Sequence, residues 1–358
     1  MNFIVAGGGS GGHISPALAI ADQLRLKGHT ISYIGNTDSM EERLVKQEGL
    51  DFLPINVQKL YRKLTLAHFR FPILLLRSIR TCMKYLEQTH TAAVICTGGY
   101  ISGPIAIAAI LKHVDLYFWD GNSYPGLTTR YLARRIKVVF TAFDAASEYL
   151  KGANCQNLWI PLRNKPIPQL TSKLELPGIS QDKPILLVTG GSQGSMAINE
   201  AVAGSLERIM ALGFDIIWQA GRIGFNKYQS QFGSMPGLHI FEFSNQMPEM
   251  MQVSSLAVSR AGALSIAELQ EYHVPAILIP LPTAAENHQF FNAREQQKRG
   301  LAMLLEQSKL SSGTLYKSVQ ALWDHRENFM KQFSSLAPNT SAEDIVNHIL
   351  SYYTKGDN

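Results

Sequence analysis

Two stretches of this chain place glycines and a few hydrogen-bonding side chains directly after a short apolar run. Phe3-Ile4-Val5-Ala6 leads into Gly7-Gly8-Gly9-Ser10-Gly11-Gly12-His13, and Ile185-Leu186-Leu187-Val188 leads into Gly190-Gly191-Ser192-Gln193-Gly194-Ser195. Turns of this kind let backbone N–H groups and a helix N-terminus approach an anion with no side chain in the way. His13 stands at the mouth of the helix that follows the first loop. A neutral imidazole is favoured there and can take a proton from a hydroxyl; the competing reading is a histidine that only caps or packs beside the turn.

A third turn, Arg260-Ala261-Gly262, follows the apolar run Leu256 to Val258 and opens a helix through Ala263, Leu264, Ser265, Ile266 and Ala267 to Glu268. A carboxylate in the first or second turn can accept two hydrogen bonds from a ribose diol, while the N–H groups ahead of it hold a phosphate. The alternative is an acidic residue that complements the helix dipole. Further on, Gln289 and Asn292 are three apart and share a helix face. Their amides offer donor and acceptor together, which suits neutral sugar hydroxyls.

Gly7, Gly9 and Gly12 satisfy the dinucleotide fingerprint. A nicotinamide enzyme needs an acidic residue at the end of the second strand, however, and Ile34 is followed by Gly35 and Asn36. The second glycine loop also has no place in a one-fingerprint dehydrogenase.

The elements that must position these residues alternate in type. Ser15 as cap, Pro16 in the first turn and Gly28 as terminator predict a helix over 17–27. Strands are expected at 31–34, 94–96, 116–119, 216–219, 239–243 and 276–279, with helices at 105–111 and about 196–212. Thr340 and Glu343 have capping-box spacing, and Ile345, Ile349 and Tyr353 lie on one face of a last helix expected to pack back on the first domain. Alternation of this kind implies α/β domains with parallel sheets covered on both faces. With 358 residues and five prolines between Pro161 and Pro184, two domains joined near that segment are expected.

Charge divides the same way. Residues 1–163 hold 18 Lys+Arg against 11 Asp+Glu, and the remainder 15 against 17. The basic half implies an anionic partner. Within it, residues 52–86 contain no acid, and Lys59, Arg62, Lys63, Arg70, Arg77, Arg80 and Lys84 alternate with Leu60, Leu64, Phe69, Ile73, Leu76 and Ile79. That pattern suits an anionic membrane surface, or else a buried helix with solvated basic edges. Nucleic acid is disfavoured because apolar residues dominate and aromatics are few. Cys82, Cys96 and Cys155 have neither metal-ligand spacing nor a disulfide count, which fits a reducing cytosol. The amino terminus enters a core strand with no basic leader, so no signal peptide is expected.

Taken together, Gly8 to Ala17, Gly98-Gly99-Tyr100-Ile101-Ser102-Gly103-Pro104, Gly190 to Gly194, Arg260 to Leu264, Glu268, and Gln289 with Asn292 resemble the MurG family of glycosyltransferases, from about residue 2 to beyond 300 and in order. The resemblance implies a GT-B fold: two Rossmann-like domains with a cleft between them, residues 1–163 plus a C-terminal helix about 340–358 taking the acceptor and the membrane, and 164–339 taking the UDP-sugar. It implies inverting transfer of N-acetylglucosamine from UDP-GlcNAc to the 4-hydroxyl of an undecaprenyl-diphosphate-linked muramoyl pentapeptide, at the cytoplasmic face of the inner membrane. Cell-wall synthesis proteins are further partners by the same resemblance. Ser192 and its loop, with Ala263, Leu264 and Ser265, would contact the UDP phosphates, and Glu268 the ribose. Phe243 and Ser244 would read the uracil edge with Arg163 alongside. Gln289 would hold the sugar, and Ser10, Gly11 and Gly12 would face the acceptor diphosphate or the donor sugar. Tyr100, Asn122, Ile266, Ala267 and Asn292 complete the expected substrate contacts. His13 is the candidate base. Helix N-termini would stabilise the leaving diphosphate with no cofactor required, and no Asp-x-Asp metal motif is present.

Two departures from the family pattern stand out: Trp119-Asp120-Gly121-Asn122 in place of His-Glu-Gln-Asn, and Trp159-Ile160-Pro161-Leu162-Arg163 in place of Gly-Asn-Pro-x-Arg. They keep open another GT-B lipid or natural-product glycosyltransferase, or a membrane-associated UDP-sugar-binding protein without turnover.

Overall fold

The computed structural model describes residues 1–58, 67–163, 176, 178–180, 182–191, 193–244, 246–284 and 287–354. The chain divides into two compact units, Met1–Asn164 with Asn339–Asn358, and Lys165–Pro338.

The first unit carries strands β1 (Asn2–Ala6), β2 (Thr30–Asn36), β3 (Asp51–Ile55), β4 (Thr91–Cys96), β5 (Asp115–Asp120), β6 (Val138–Thr141) and β7 (Cys155–Asn157). They form one parallel sheet in the order β3-β2-β1-β4-β5-β6-β7. Its helices are α1 (Gly11–Leu26), α2 (Met40–Gln47), α3 (Ala67–Gln88), α4 (Ser102–Leu111), α5 (Leu127–Leu132) and, from the chain's end, α14 (Ser341–Thr354). Ile4, Ala6, Val94, Cys96 and Phe118 of the sheet meet Ile79 and Leu86 of α3 and Ile105 and Ala109 of α4 in one buried cluster. Strands covered on both faces need near-continuous apolar runs, and β1 and β4 have them.

The second unit carries β8 (Ile185–Thr189), β9 (Asp215–Gln219), β10 (Leu238–Phe241), β11 (Leu256–Ser259), β12 (Ala276–Leu278) and β13 (Ala302–Leu304), parallel throughout, in the order β10-β9-β8-β11-β12-β13. Around it lie α6 (Met196–Ala203), α7 (Leu206–Met210), α8 (Phe225–Phe232), α9 (Met247–Val253), α10 (Ala263–Glu271), α11 (His288–Lys298), α12 (Ser312–Asp324) and α13 (Arg326–Ser334). Leu186, Val188, Trp218 and Val258 pack with Ile198 and Val202 of α6 and Leu315 and Val319 of α12.

Both sheets reverse direction of winding once, between β1 and β4 and between β8 and β11. In open parallel sheets ligands bind beyond the carboxyl ends of the strands at that reversal. The loops at 7–10, 97–101, 190–195 and 260–262 all leave those four strands.

Several boundaries differ from the sequence expectation. Helix α1 starts at Gly11, not beyond Ser15: Ser10 is the N-cap and Pro16 lies inside the helix. Its end is as expected, with Gly28 at φ +80° and the His29 N–H bonded to Leu24 O. The helix expected over 196–212 breaks at Gly204, where α12 approaches so closely that a Cβ would lie 3.0 Å from the Ser312 Cβ. The strand expected at 239–243 ends at Phe241, and Phe243 is 60% exposed. Thr340 does not pair with Glu343: its hydroxyl donates to Asp344 at 2.7 Å, and Glu343 instead meets Lys27 at 3.5 Å. Ile345 and Ile349 are buried and α14 packs on α1.

Candidate active site

In the first unit, β1 and β4 end side by side, with the Thr97 N–H bonded to Ala6 O at 2.9 Å. The loops that follow interlock through missing side chains. A Cβ on Gly7 would lie 2.1 Å from Thr97 Oγ1, one on Gly99 would lie 2.1 Å from Gly8 O, and one on Gly98 would meet the His13 ring at 2.8 Å. Gly98 and Gly99 also have φ of +100° and +80°, so both sterics and backbone demand glycine.

His13 is held from two sides. Its Nδ1 lies 2.8 Å from Thr97 O, and the Thr97 hydroxyl donates to His13 O at 2.7 Å. A carbonyl can only accept, so Nδ1 carries the proton and Nε2 carries the lone pair of the neutral ring. The N-terminus of α1 has no side-chain cap and no acidic residue in its first turn. Ser10, Gly11 and Gly12 are exposed, and the space beside Gly11 is open. Its first N–H groups are therefore donors pointed away from the core.

Tyr100 is half-buried; its ring crosses Gly9 and its hydroxyl accepts from Asn36 Nδ2 at 3.3 Å. Asn122 belongs to a loop organised by Asp120, whose buried carboxylate accepts from the N–H of Asn122 (3.3 Å), the N–H of Gly126 (2.8 Å) and the Thr129 hydroxyl (2.7 Å). The neighbouring Trp119 is buried and bonds Trp159 O at 3.3 Å. Its indole fills the space of a side chain at 121, where a Cβ would lie 2.3 Å from the ring. The two substituted positions are thus one steric unit.

The Arg163 guanidinium is forked on Glu48, at 2.6 and 2.8 Å, and its Nε donates to Asp22 at 2.8 Å. Bidentate pairing with two carboxylates makes it a strut between α1 and the end of α2.

In the second unit, Ser192 lies outside the described residues. Around it, Gly194 and Gly221 approach back to back, the Gly191 N–H bonds Thr189 Oγ1 at 3.1 Å, and Ser195 caps α6 by accepting the Ile198 N–H. Arg260 joins this loop to the next two. It donates to Ser195 Oγ (2.6 Å), Gln307 Oε1 (2.7 Å), Ile279 O (3.1 Å) and Pro280 O (3.2 Å). All four acceptors are neutral, and burial lowers its pKa.

Helix α10 begins at Ala263 after Gly262, again with no side-chain cap and no acidic first turn. The Ile266 N–H already bonds Gly262 O at 3.0 Å, so Ala263, Leu264 and Ser265 supply the outward donors. Ile266 and Ala267 are buried. Glu268 is half-buried, and burial pushes its carboxyl up to about 7. Asn292 is 0% exposed, and its amide donates to Ala261 O at 3.3 Å, tying α11 to the turn before α10. Gln289 is half-buried, and its carbonyl oxygen accepts the Leu281 N–H at 3.0 Å, so its amide nitrogen is the end it can offer to a sugar. Ser244 Oγ accepts the Gln246 N–H at 3.0 Å.

Thr97, Asp120 and Arg260 escaped the sequence reading as organisers. Only the position of Thr97 and Arg260 at the end of apolar runs could have flagged them.

Two parallel sheets with glycine turns and uncapped helix N-termini at both winding reversals are the architecture of GT-B glycosyltransferases. The chain matches the glycosyltransferase family 28 N-terminal domain over residues 3–141 and the glycosyltransferase family 28 C-terminal domain over 185–349. Within that class, the chain belongs to the MurG family, the UDP-N-acetylglucosamine–N-acetylmuramyl-(pentapeptide) pyrophosphoryl-undecaprenol N-acetylglucosamine transferases. It is 31% identical to the transferase of that name from Finegoldia magna, over 98% of this chain and 97% of the relative. It is 30% identical to the one from Exiguobacterium sp., over 98% and 100%. The crystal structure of Acinetobacter baumannii MurG superposes with a TM-score of 0.75 at 26% identity, covering 98% of this chain and 99% of that one.

Proposed function

We propose that this chain transfers N-acetylglucosamine from UDP-GlcNAc to the 4-hydroxyl of an undecaprenyl-diphosphate-linked muramoyl pentapeptide, inverting the anomeric carbon in one displacement. The observation that carries the donor half is the N-terminus of α10, with three N–H donors at Ala263, Leu264 and Ser265 and a carboxylate at Glu268. Those donors take the diphosphate and stabilise the charge that builds on it as UDP leaves. Glu268 accepts the ribose hydroxyls, Gln289 donates to the sugar, and Ser244 lies on the loop that reads the base.

The first unit takes the acceptor. Its diphosphate faces the open N–H groups of Gly11 and Gly12, with Ser10, Tyr100 and Asn122 beside it. The acceptor oxygen bonds to the anomeric carbon, the carbon–oxygen bond to UDP breaks, and the hydroxyl proton passes to His13 Nε2. On α3, Ile73 and Leu76 are each 56% exposed, with Arg77, Arg80 and Lys84 exposed near them. Exposed apolar side chains flanked by cations suit peripheral docking on an anionic membrane. No helix among the described residues is long and apolar enough to cross one. Residues 59–66 and the side chains of 67–70, the rest of this run, lie outside the described residues.

The test is transfer of labelled N-acetylglucosamine to the lipid acceptor, with UDP release followed in parallel. His13→Ala should lower kcat about a hundredfold or more while leaving UDP-GlcNAc binding intact. Nucleotide binding without disaccharide-lipid formation by the wild-type protein overturns the reading.

A further inference from the structure

Beneath the first glycine loop lies a carboxylate for which transfer has no evident use. Glu41, the second residue of α2, is 1% exposed, and among the described residues no cation pairs with it. Its Oε2 accepts the Gly9 N–H at 3.4 Å and its Oε1 the Asn36 N–H at 3.3 Å. Two glycines make room for it: a Cβ on Gly8 would lie 2.8 Å from Oε1, and one on Gly35 would lie 2.7 Å from Cγ.

A glycine turn after a parallel strand ordinarily offers its N–H groups to a ligand anion. Here the Gly9 N–H is taken by an anion of the chain itself. Burying a carboxylate without a cation is costly, and its place in the first turn of α2, beside Glu42, offsets part of that cost. What the carboxylate adds beyond its own helix is the bond to the glycine loop.

The contacts lead from Glu41 to the proposed base. Gly8, wedged beside the carboxylate, sets its carbonyl against Gly99, and Gly98 seats the His13 ring whose Nδ1 bonds Thr97 O. Asn36, whose N–H Glu41 also accepts, reaches the Tyr100 hydroxyl and closes both bonds of an amide pair with Val57 at 2.7 and 2.8 Å.

We propose that Glu41 is a positioning residue for the transfer reaction: its carboxylate fixes the 7–9 turn against the 97–99 loop and so holds His13 and Tyr100 in place for the acceptor. This rests on the transfer reading above. Glu41→Gln keeps the shape but sets an NH2 against one of the two N–H donors. In the lipid-acceptor assay, run well below the thermal midpoint of both proteins, kcat should fall about tenfold to a hundredfold, with UDP-GlcNAc binding unchanged. Histidine-selective NMR should show the His13 Nδ1–H form in the wild type and a mixture of tautomers in the variant. Full kcat in the variant, or loss of activity that only follows a lowered midpoint, overturns the proposal. If the wild type performs no transfer, that reading fails by itself, and the NMR comparison still decides Glu41: an unchanged His13 signature overturns its role.

Discussion

His13 and Glu268 show how little a residue's type says until its partners are known. The imidazole has a defined tautomer because Thr97 O accepts from Nδ1, and the proposed transfer uses the lone pair this leaves on Nε2. Glu268 carries a different consequence, since burial raises its carboxyl from 4.5 to about 7. A folded-state pKa above the unfolded value means that the native protein holds the proton more tightly. The associated stability is fully present below pH 4.5 and is lost as pH rises through about 7, at most about 3 kcal/mol. Ribose hydroxyls prefer the ionised form, so UDP affinity should instead rise over the same pH window. Urea unfolding and UDP titration from pH 5 to 8 check both trends, and Glu268→Gln should flatten both while weakening nucleotide binding.

At the scale of elements, the junction after β5 is where two neighbouring positions share one space. Trp119, at the end of β5, occupies the volume that a side chain at 121 would need. Gly121→Ala should therefore cost about 1–3 kcal/mol by overpacking, and Trp119→Leu about 2–4 kcal/mol through the cavity it leaves. Because the smaller leucine side chain relieves the clash, the double variant should lose clearly less than the sum, measured by denaturant unfolding as a double-mutant cycle. Additive losses would mean that the two positions do not share one space. Asp120, beside them, holds the loop through Asn122, Gly126 and Thr129, so that loop keeps its shape with a tryptophan at 119.

For the whole molecule, charge is distributed by unit, with the basic excess confined to residues 1–163. Sedimentation with anionic vesicles should depend on it: Arg77, Arg80 and Lys84 together changed to Gln should weaken binding about a hundredfold, at about 1 kcal/mol per cation. High salt should weaken the wild type in the same direction, and Ile73→Asp with Leu76→Asp should weaken it at any salt. Binding indifferent to all of these changes would sink the membrane reading of α3.

The sequence by itself determined the parallel α/β architecture, the four loops at the winding reversals and the candidacy of His13 and Glu268. Apolar runs ending in glycine turns are local signals, and a glycine that must admit a neighbour's backbone has few substitutes. It misplaced the start of α1, joined α6 to α7, and could not name the partners that Arg163 and Asn292 meet within the fold. The missing partners share one cause. Whether a guanidinium or an amide faces a ligand depends on which carboxylate or carbonyl the fold brings within reach, and Glu48 is 115 residues from Arg163 in the chain. The buried carboxylate of Glu41 gave no sequence signal, because its partners Gly9 and Asn36 are backbone N–H groups that every residue but proline possesses. Only the tertiary structure, by setting α2 under the first glycine loop, decided that this acid serves the loop instead of solvent.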